Sequence, residues 1–168
     1  MAGNASFTIC SIKPMKRTRA IDLLDQAKIA VEVREFSASE FTVEETAAAL
    51  ALPLNELFKT LVAEGERKGI VMALIPGDAQ LSLSKLAKAM GDKRAAMIDV
   101  EDLFRVTGYL KGGCSPLGAR KRFPVYMDAS ALTHPRISVS AGLRGVQMLL
   151  APDDLRRATS AVVADLLL

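Results

Sequence analysis

The sequence predicts an α+β fold within the broad α/β class: a mixed, largely antiparallel, barrel-like sheet surrounded by helices, in a single domain. Three observations predict it. Segments with helical spacing of apolar residues alternate with short segments of strand character along the whole chain. Several strands are joined by tight glycine-containing loops, which favours antiparallel neighbours over a doubly wound parallel sheet. No repeat, low-complexity tract or linker divides the 168 residues, a length suited to one core.

The elements follow in order. Ala20, Ile21, Leu23, Leu24 and Ala27 mark a helix over residues 18–29, and Val31, Val33 and Phe36 suggest a strand with one wet side. Thr42 and Glu45 have the spacing of a capping box, with Val43, Ala47 and Leu50 as the apolar stripe behind it. Pro53 ends that helix and begins a short turn to Leu57. Phe58–Ala63 reads as a strand, residues 65–69 as a hairpin loop, and Ile70–Ile75 as a strand buried on both faces. Ser82 caps a helix that Gly91 stops, Ala95–Ile98 is a short strand, and Asp99 caps a helix to Thr107. Three strands follow, Pro124–Asp128, Ile137–Ser140 and Val146–Leu150, the last two separated by Gly142, Arg144 and Gly145. Pro152, with Asp153 and Asp154 in the first turn, opens a closing helix expected to run to Leu167.

Composition narrows the function. The formal charge is +3 and the isoelectric point about 9.0, which favours a polyanionic partner, with a basic cytosolic protein that has no such partner as the plainer alternative. Cys10 and Cys114 are too few for a disulfide framework, no metal-ligand spacing is present, and no apolar run is long enough for a membrane span. Residues 1–17 read as a basic arm, either unordered or a non-native start, ahead of a domain over residues 18–168. The expected location is cytoplasmic, with no cofactor, metal or membrane partner.

The densest local signal is Gly112-Gly113-Cys114-Ser115-Pro116-Leu117-Gly118 followed by Arg120-Lys121-Arg122. Three glycines and a proline in seven positions make a loop whose bare backbone can approach something closely, and the triplet beside it favours an anion. The simpler reading of the triplet is a solvated run. Lys59, inside an apolar strand, either snorkels to solvent or points into a cleft where it would hold a phosphate or a developing oxyanion. Cys114 lacks a base nearby in sequence, so a small residue filling a tight loop is its simpler role. Ser115 and Ser140 are read with the same caution, since serines in turns usually bond their own backbone. His134, the one histidine, sits in a turn before Pro135 and offers no catalytic pair.

With that loop, two further segments match in order and spacing: Phe58-Lys59-Thr60-Leu61, and Val139-Ser140-Ala141-Gly142-Leu143-Arg144-Gly145. Together they resemble the YbaK/EbsC family of aminoacyl-tRNA editing deacylases, related to the editing domain of bacterial prolyl-tRNA synthetases. The resemblance runs from about residue 18 to the end. It implies a trans-editing hydrolase that removes a mischarged small amino acid, above all cysteine, from tRNA(Pro), with prolyl-tRNA synthetase as a further partner. A pocket admitting proline rejects smaller residues by only about 1–3 kcal/mol, so a second site that destroys the wrong ester supplies the missing discrimination.

By this resemblance Lys59, Gly112 and Ser140 are the catalytic residues: Lys59 anchors the terminal adenosine or steadies the oxyanion, amides at Gly112 and Gly113 hold the carbonyl, and Ser140 lines the pocket. The substrate-binding set is Phe36, Thr60, Gly113, Cys114, Ser115, Pro116, Leu117, Gly118, Gly142, Arg144 and Gln147. Arg120, Lys121 and Arg122 meet the tRNA backbone. The substrate's own thiol or water, rather than a protein nucleophile, attacks the ester. Two positions depart from close relatives: Phe36-Ser37-Ala38 replaces a tyrosine and a histidine, and Gln147 stands where an aspartate is frequent. A deacylase tuned to alanine or another small residue, or a non-catalytic module that binds aminoacyl-tRNA or a synthetase, therefore remain the alternatives.

Overall fold

A computed structural model describes residues 16–168, so Cys10 and most of the basic arm lie outside the described residues. The chain runs α1 (Arg19–Gln26), β1 (Glu32–Glu35), α2 (Val43–Leu50), a 3-10 turn (Leu54–Glu56), β2 (Phe58–Gly65), β3 (Gly69–Pro76), α3 (Leu83–Met90), β4 (Ala95–Met97) and α4 (Val100–Thr107). It continues with β5 (Val125–Asp128), a second 3-10 turn (Ala129–Thr133), β6 (Ile137–Leu143), β7 (Val146–Leu150), α5 (Pro152–Thr159) and β8 (Val162–Ala164).

Two of the expected caps form and Thr18 adds a third, whereas Asp99 precedes α4 without a side-chain cap hydrogen bond. The Thr18, Thr42 and Ser82 hydroxyls accept from the amides of Ile21, Glu45 and Lys85. Gly91 ends α3 in the left-handed conformation.

The sheet is mixed but does not close into a barrel. Two sheets form instead, one ordered β1-β7-β6 and one ordered β4-β2-β3-β5-β8, linked by a single-residue parallel bridge between Leu57 and Ser138. β4 pairs with β2 only from Ala63 to Gly65, so the first half of β2 keeps an open outer edge. The gap that a barrel would have closed lies along that edge.

Alternation along the central strands fills a core on each face. Phe58, Val62, Met72, Leu74 and Met127 pack with α1, β6 and β7, while Ala63, Val71, Ala73 and Ile75 pack with Leu86, Met90 and Leu166. β3 is buried on both faces, as its apolar run predicts.

The closing helix is shorter than expected. α5 stops at Thr159 with Ser160 left-handed, and Val162–Ala164 instead joins β5 as a parallel edge strand. Two adjacent β-branched valines favour the extended chain beside an unpaired strand edge. The tail is then anchored: Leu166 N donates to Asp128 Oδ1 at 2.9 Å, and Ser82 N donates to Leu166 O at 2.7 Å.

Candidate active site

The open edge of β2 forms one wall of a cleft of about 560 Å³. The opposite walls come from the loop after β1, the start of α4, the glycine loop and the β6–β7 hairpin. Seven of the residues singled out from sequence meet there: Lys59, Thr60, Gly112, Cys114, Ser140, Arg144 and Gln147.

Lys59 is half-buried, and its Nζ donates to Gly77 O at 3.4 Å. Gly77 itself is fixed, since its amide donates to both Leu54 O and Leu57 O and a Cβ there would lie 2.5 Å from Val43 Cγ1. The lysine is thus held from behind with its ammonium at the cleft.

Beside it, the Thr60 hydroxyl oxygen is buried without a hydrogen-bond partner. The Thr60 peptide faces the same way. Val62 O accepts from Ile98 N at 3.2 Å, so even-numbered residues of β2 turn their peptide groups toward β4, which ends opposite Ala63 before it can reach Thr60.

The glycine loop owes its composition to the packing of chain against chain. A Cβ on Gly112, whose φ is +86°, would sit 3.0 Å from Phe41 Cβ and 3.1 Å from Phe41 O; one on Gly113 would sit 3.0 Å from Arg144 N. A Cβ on Gly145, across the β6–β7 turn, would sit 2.6 Å from Phe36 O. Three segments therefore touch backbone to backbone at the cleft. Arg144 Nε donates to Lys111 O at 2.7 Å and ties two of them together.

The Gly113 amide is not available to a ligand, a correction to the expectation that it holds a carbonyl. It donates to Leu110 O at 2.9 Å. Gly112 and Cys114, on either side, line the cleft, and no hydrogen bond among the described residues occupies their amides.

The remaining expected residues lie around the cleft rather than in it. Phe36 stands behind Phe41, ring centroids 6.0 Å apart, and Phe41 lines the cleft. Gly142 lies under the Tyr109 ring, where a Cβ would meet Cε1 at 2.7 Å. Ser115 is fully buried and accepts from Leu117 N, so it serves its own turn. Pro116, Leu117 and Gly118 border a second recess of about 290 Å³, together with Lys121 and Arg122. The basic triplet is divided. Arg120 caps the end of α4, its Nε donating to Phe104 O at 3.2 Å, while Arg122 donates to Ser160 Oγ at 2.8 Å and Lys121 lies over the Phe123 ring.

Within the pocket, Ser140 Oγ accepts from Gly142 N at 3.2 Å, and Ser138 Oγ donates to Gln147 Oε1 at 2.9 Å. His134 packs edge-on to Phe58, away from the cleft lining. Sequence reasoning missed Phe41, Leu103 and Lys111. A signal for Phe41 existed: Glu45 of the capping box reaches past Thr42 to accept from Glu40 N at 2.9 Å, which folds the preceding loop over the cleft with Phe41 left-handed at φ +57°.

Burial pushes the Cys114 thiol up to about 12, and Tyr109, whose hydroxyl donates to Leu117 O, likewise to about 12. Cys114 is therefore a neutral thiol at working pH, a poor nucleophile. The linkage sign follows. The unfolded chain releases these protons near 9.0 and 10.0, whereas the native chain holds both to about 12, so stability is full below pH 9 and falls as pH rises toward 12. Cys114→Ala is expected to flatten the fall in urea midpoint between pH 8 and 10.5 while leaving catalysis near wild type. An unchanged slope in that variant would show that the thiol is not held neutral.

Comparison with known proteins places this geometry. Residues 38–158 match the model of the aminoacyl-tRNA editing domain. The chain is 40% identical over 156 residues to EbsC of Enterococcus faecalis (strain ATCC 700802 / V583), provisionally named a Cys-tRNA(Pro)/Cys-tRNA(Cys) deacylase, covering 92% of this chain and 95% of that one. It is 36% identical over 97 residues to a proline–tRNA ligase of Thermosipho africanus (strain TCF52B), 58% of this chain but 17% of the ligase. A crystal structure provisionally described as a trans-editing enzyme for prolyl tRNA synthetase superposes with a TM-score of 0.81 at 28% identity, over 92% of this chain and 99% of that one. The cleft beside Lys59 thus sits in a chain that belongs to the aminoacyl-tRNA editing domain family.

Proposed function

We propose that the protein is an aminoacyl-tRNA deacylase that clears cysteine from tRNA(Pro) in trans. The observation that carries this reading is the convergence of Lys59, the Gly112 and Cys114 peptides and Ser140 in one cleft that holds no activated side-chain nucleophile. An aminoacyl ester is already reactive, so orientation and charge stabilisation suffice. Amide donors aimed at the developing oxyanion are each worth about 10²–10³ in rate.

In this reading the ester carbonyl oxygen lies against the Gly112 and Cys114 amides, and the Lys59 ammonium balances the charge that develops there. The substrate's thiol, or a water, attacks the carbonyl carbon. The ester carbon–oxygen bond then breaks, and the proton given up by the attacking group passes to the departing ribose oxygen. The amino-acid side chain lies toward Ser140 and Gln147. The neutral Gln147 amide, bonded to Ser138, gives that end polarity without charge.

One deacylation panel tests the proposal: tRNA(Pro) charged with cysteine, alanine, serine or proline, each incubated with the protein. Clearance of the cysteine ester well above the others is expected. Preference for alanine would reassign the substrate, and no clearance of any ester, with retained binding, would make the protein a binding module.

Thr60→Val keeps shape but removes the unpartnered hydroxyl. It should leave the melting temperature unchanged or higher, because a buried unsatisfied group disappears, and any fall in kcat/KM, up to about tenfold, reads the hydrogen bond that the hydroxyl makes on turning toward the substrate. Calorimetry beside the same assay checks both.

A further inference from the structure

An apolar ledge extends from the cleft along α4. Eight large apolar side chains are exposed among the described residues; two of them line the cleft and three more follow close to its lining residues in the chain. Met97 and Val100 line it, Leu110 and Leu143 adjoin its lining residues Lys111 and Arg144, and Phe104 lies one turn beyond Val100 on the same helical face. Phe104 as a residue is 52% exposed, large for an aromatic.

Arg120 gives this ledge its chemistry. Its guanidinium lies 5.0 Å from the Phe104 ring centroid, and its Nε bonds the Phe104 carbonyl. Its stem crosses Gly108, where a Cβ would come 3.1 Å from Arg120 Cγ, so the arginine is held in place over the ring. No ion pair among the described residues involves Arg120, Lys111 or Arg144; of the two acids of α4, Asp102 is engaged by Arg105 at 2.7 Å, while Glu101, like the cleft-lining Glu40, Glu44 and Asp99, is in none. A planar cation on an exposed aromatic, with unpaired cations toward a cleft, is the surface that unstacked bases and their phosphates recognise. A protein partner would be served by the apolar side chains alone, without the guanidinium that lies against the Phe104 ring.

We infer that the Phe104–Arg120 pair is a stacking platform for the unpaired 3′ nucleotides of the RNA whose aminoacyl end enters the cleft. The inference rests on the deacylase reading. Continuity carries it: a single strand leaving the cleft past Val100 meets the ring within one helical turn. The platform holds the strand by stacking, and the cations along the lip meet its phosphates.

The test compares a long and a short substrate. Phe104→Ala is expected to lower kcat/KM for cysteinyl-tRNA by about tenfold, as loss of one stacked base does, with Phe104→Trp restoring it. Cysteinyl-adenosine, which ends before the platform, should be cleared at the same rate by all three proteins. An equal loss on both substrates, or no loss on either, overturns the inference. Binding of a fluorescent single-stranded RNA ending in CCA is measured in parallel and needs no catalysis. Weakening by Phe104→Ala supports the platform even if wild type clears no ester, which would sink only the deacylase reading. Unchanged RNA binding together with lost binding of prolyl-tRNA synthetase would assign the ledge to a protein partner instead.

Discussion

Lys59→Ala is expected to cut deacylation of cysteinyl-tRNA(Pro) by about 10²–10³-fold while the protein stays folded. The ammonium is the cation that β2 itself brings to the cleft, and no other lysine of that strand can replace it. The fold does not depend on it. Lys59 pairs with Ile75 through its backbone, which alanine preserves, and its side chain makes one long bond to Gly77 O. A melting temperature within a few degrees of wild type is therefore expected beside the kinetic loss. Lys59→Arg keeps the charge but not the compact ammonium, and should recover only part of the rate. Single-turnover hydrolysis with a parallel melt decides it, and a near-wild-type rate for the alanine variant would remove Lys59 from the chemistry.

Gly112→Ala should harm both stability and rate. Its φ of +86° strains any side chain, at a cost of about 1–3 kcal/mol, and the added methyl must also displace Phe41 backbone. For a chain of this size that is a fall in Tm of roughly 2–10 °C. The same displacement moves the Gly112 and Cys114 amides by a few tenths of an ångström, so the rate should fall, though by less than the roughly 10²-fold that a 1 Å misplacement costs. Gly91→Ala supplies the comparison. It carries a similar strain at φ +70° with nothing within 4 Å, so it should lower Tm and leave deacylation alone. If both variants lose activity alike, the loop glycine has no special bearing on the site.

Much of the local structure was legible because it is written locally. Thr42, Ser82 and Gly91 mark helix ends by chemistry that spans four residues, and the apolar run of β3 announces a strand with no wet side. What was not legible depends on partners far along the chain. Val162 and Val163 become a strand only because β5 offers an unpaired edge, and the sheet stays open because β4 is too short to cover β2. The site divides in the same way. Lys59 and Ser140 follow from motifs, but Gly113 loses its amide to Leu110 and Arg120 becomes a helix cap through folded contacts that spacing cannot display. Composition alone makes the loop glycines read as room for a ligand. Their nearest neighbours are Phe41, Arg144 and Phe36, so they let three loops meet, and the ligand uses what that meeting leaves exposed.

The Thr60 oxygen is buried with no hydrogen-bond partner among the described residues, so it meets a guest only when the side chain turns to another rotamer. A guest that presents a polar atom beside the open edge of β2 rewards that turn, and a wholly apolar one does not. Selection among similar small guests can therefore begin before any bond is broken, in whether the guest draws Thr60 round.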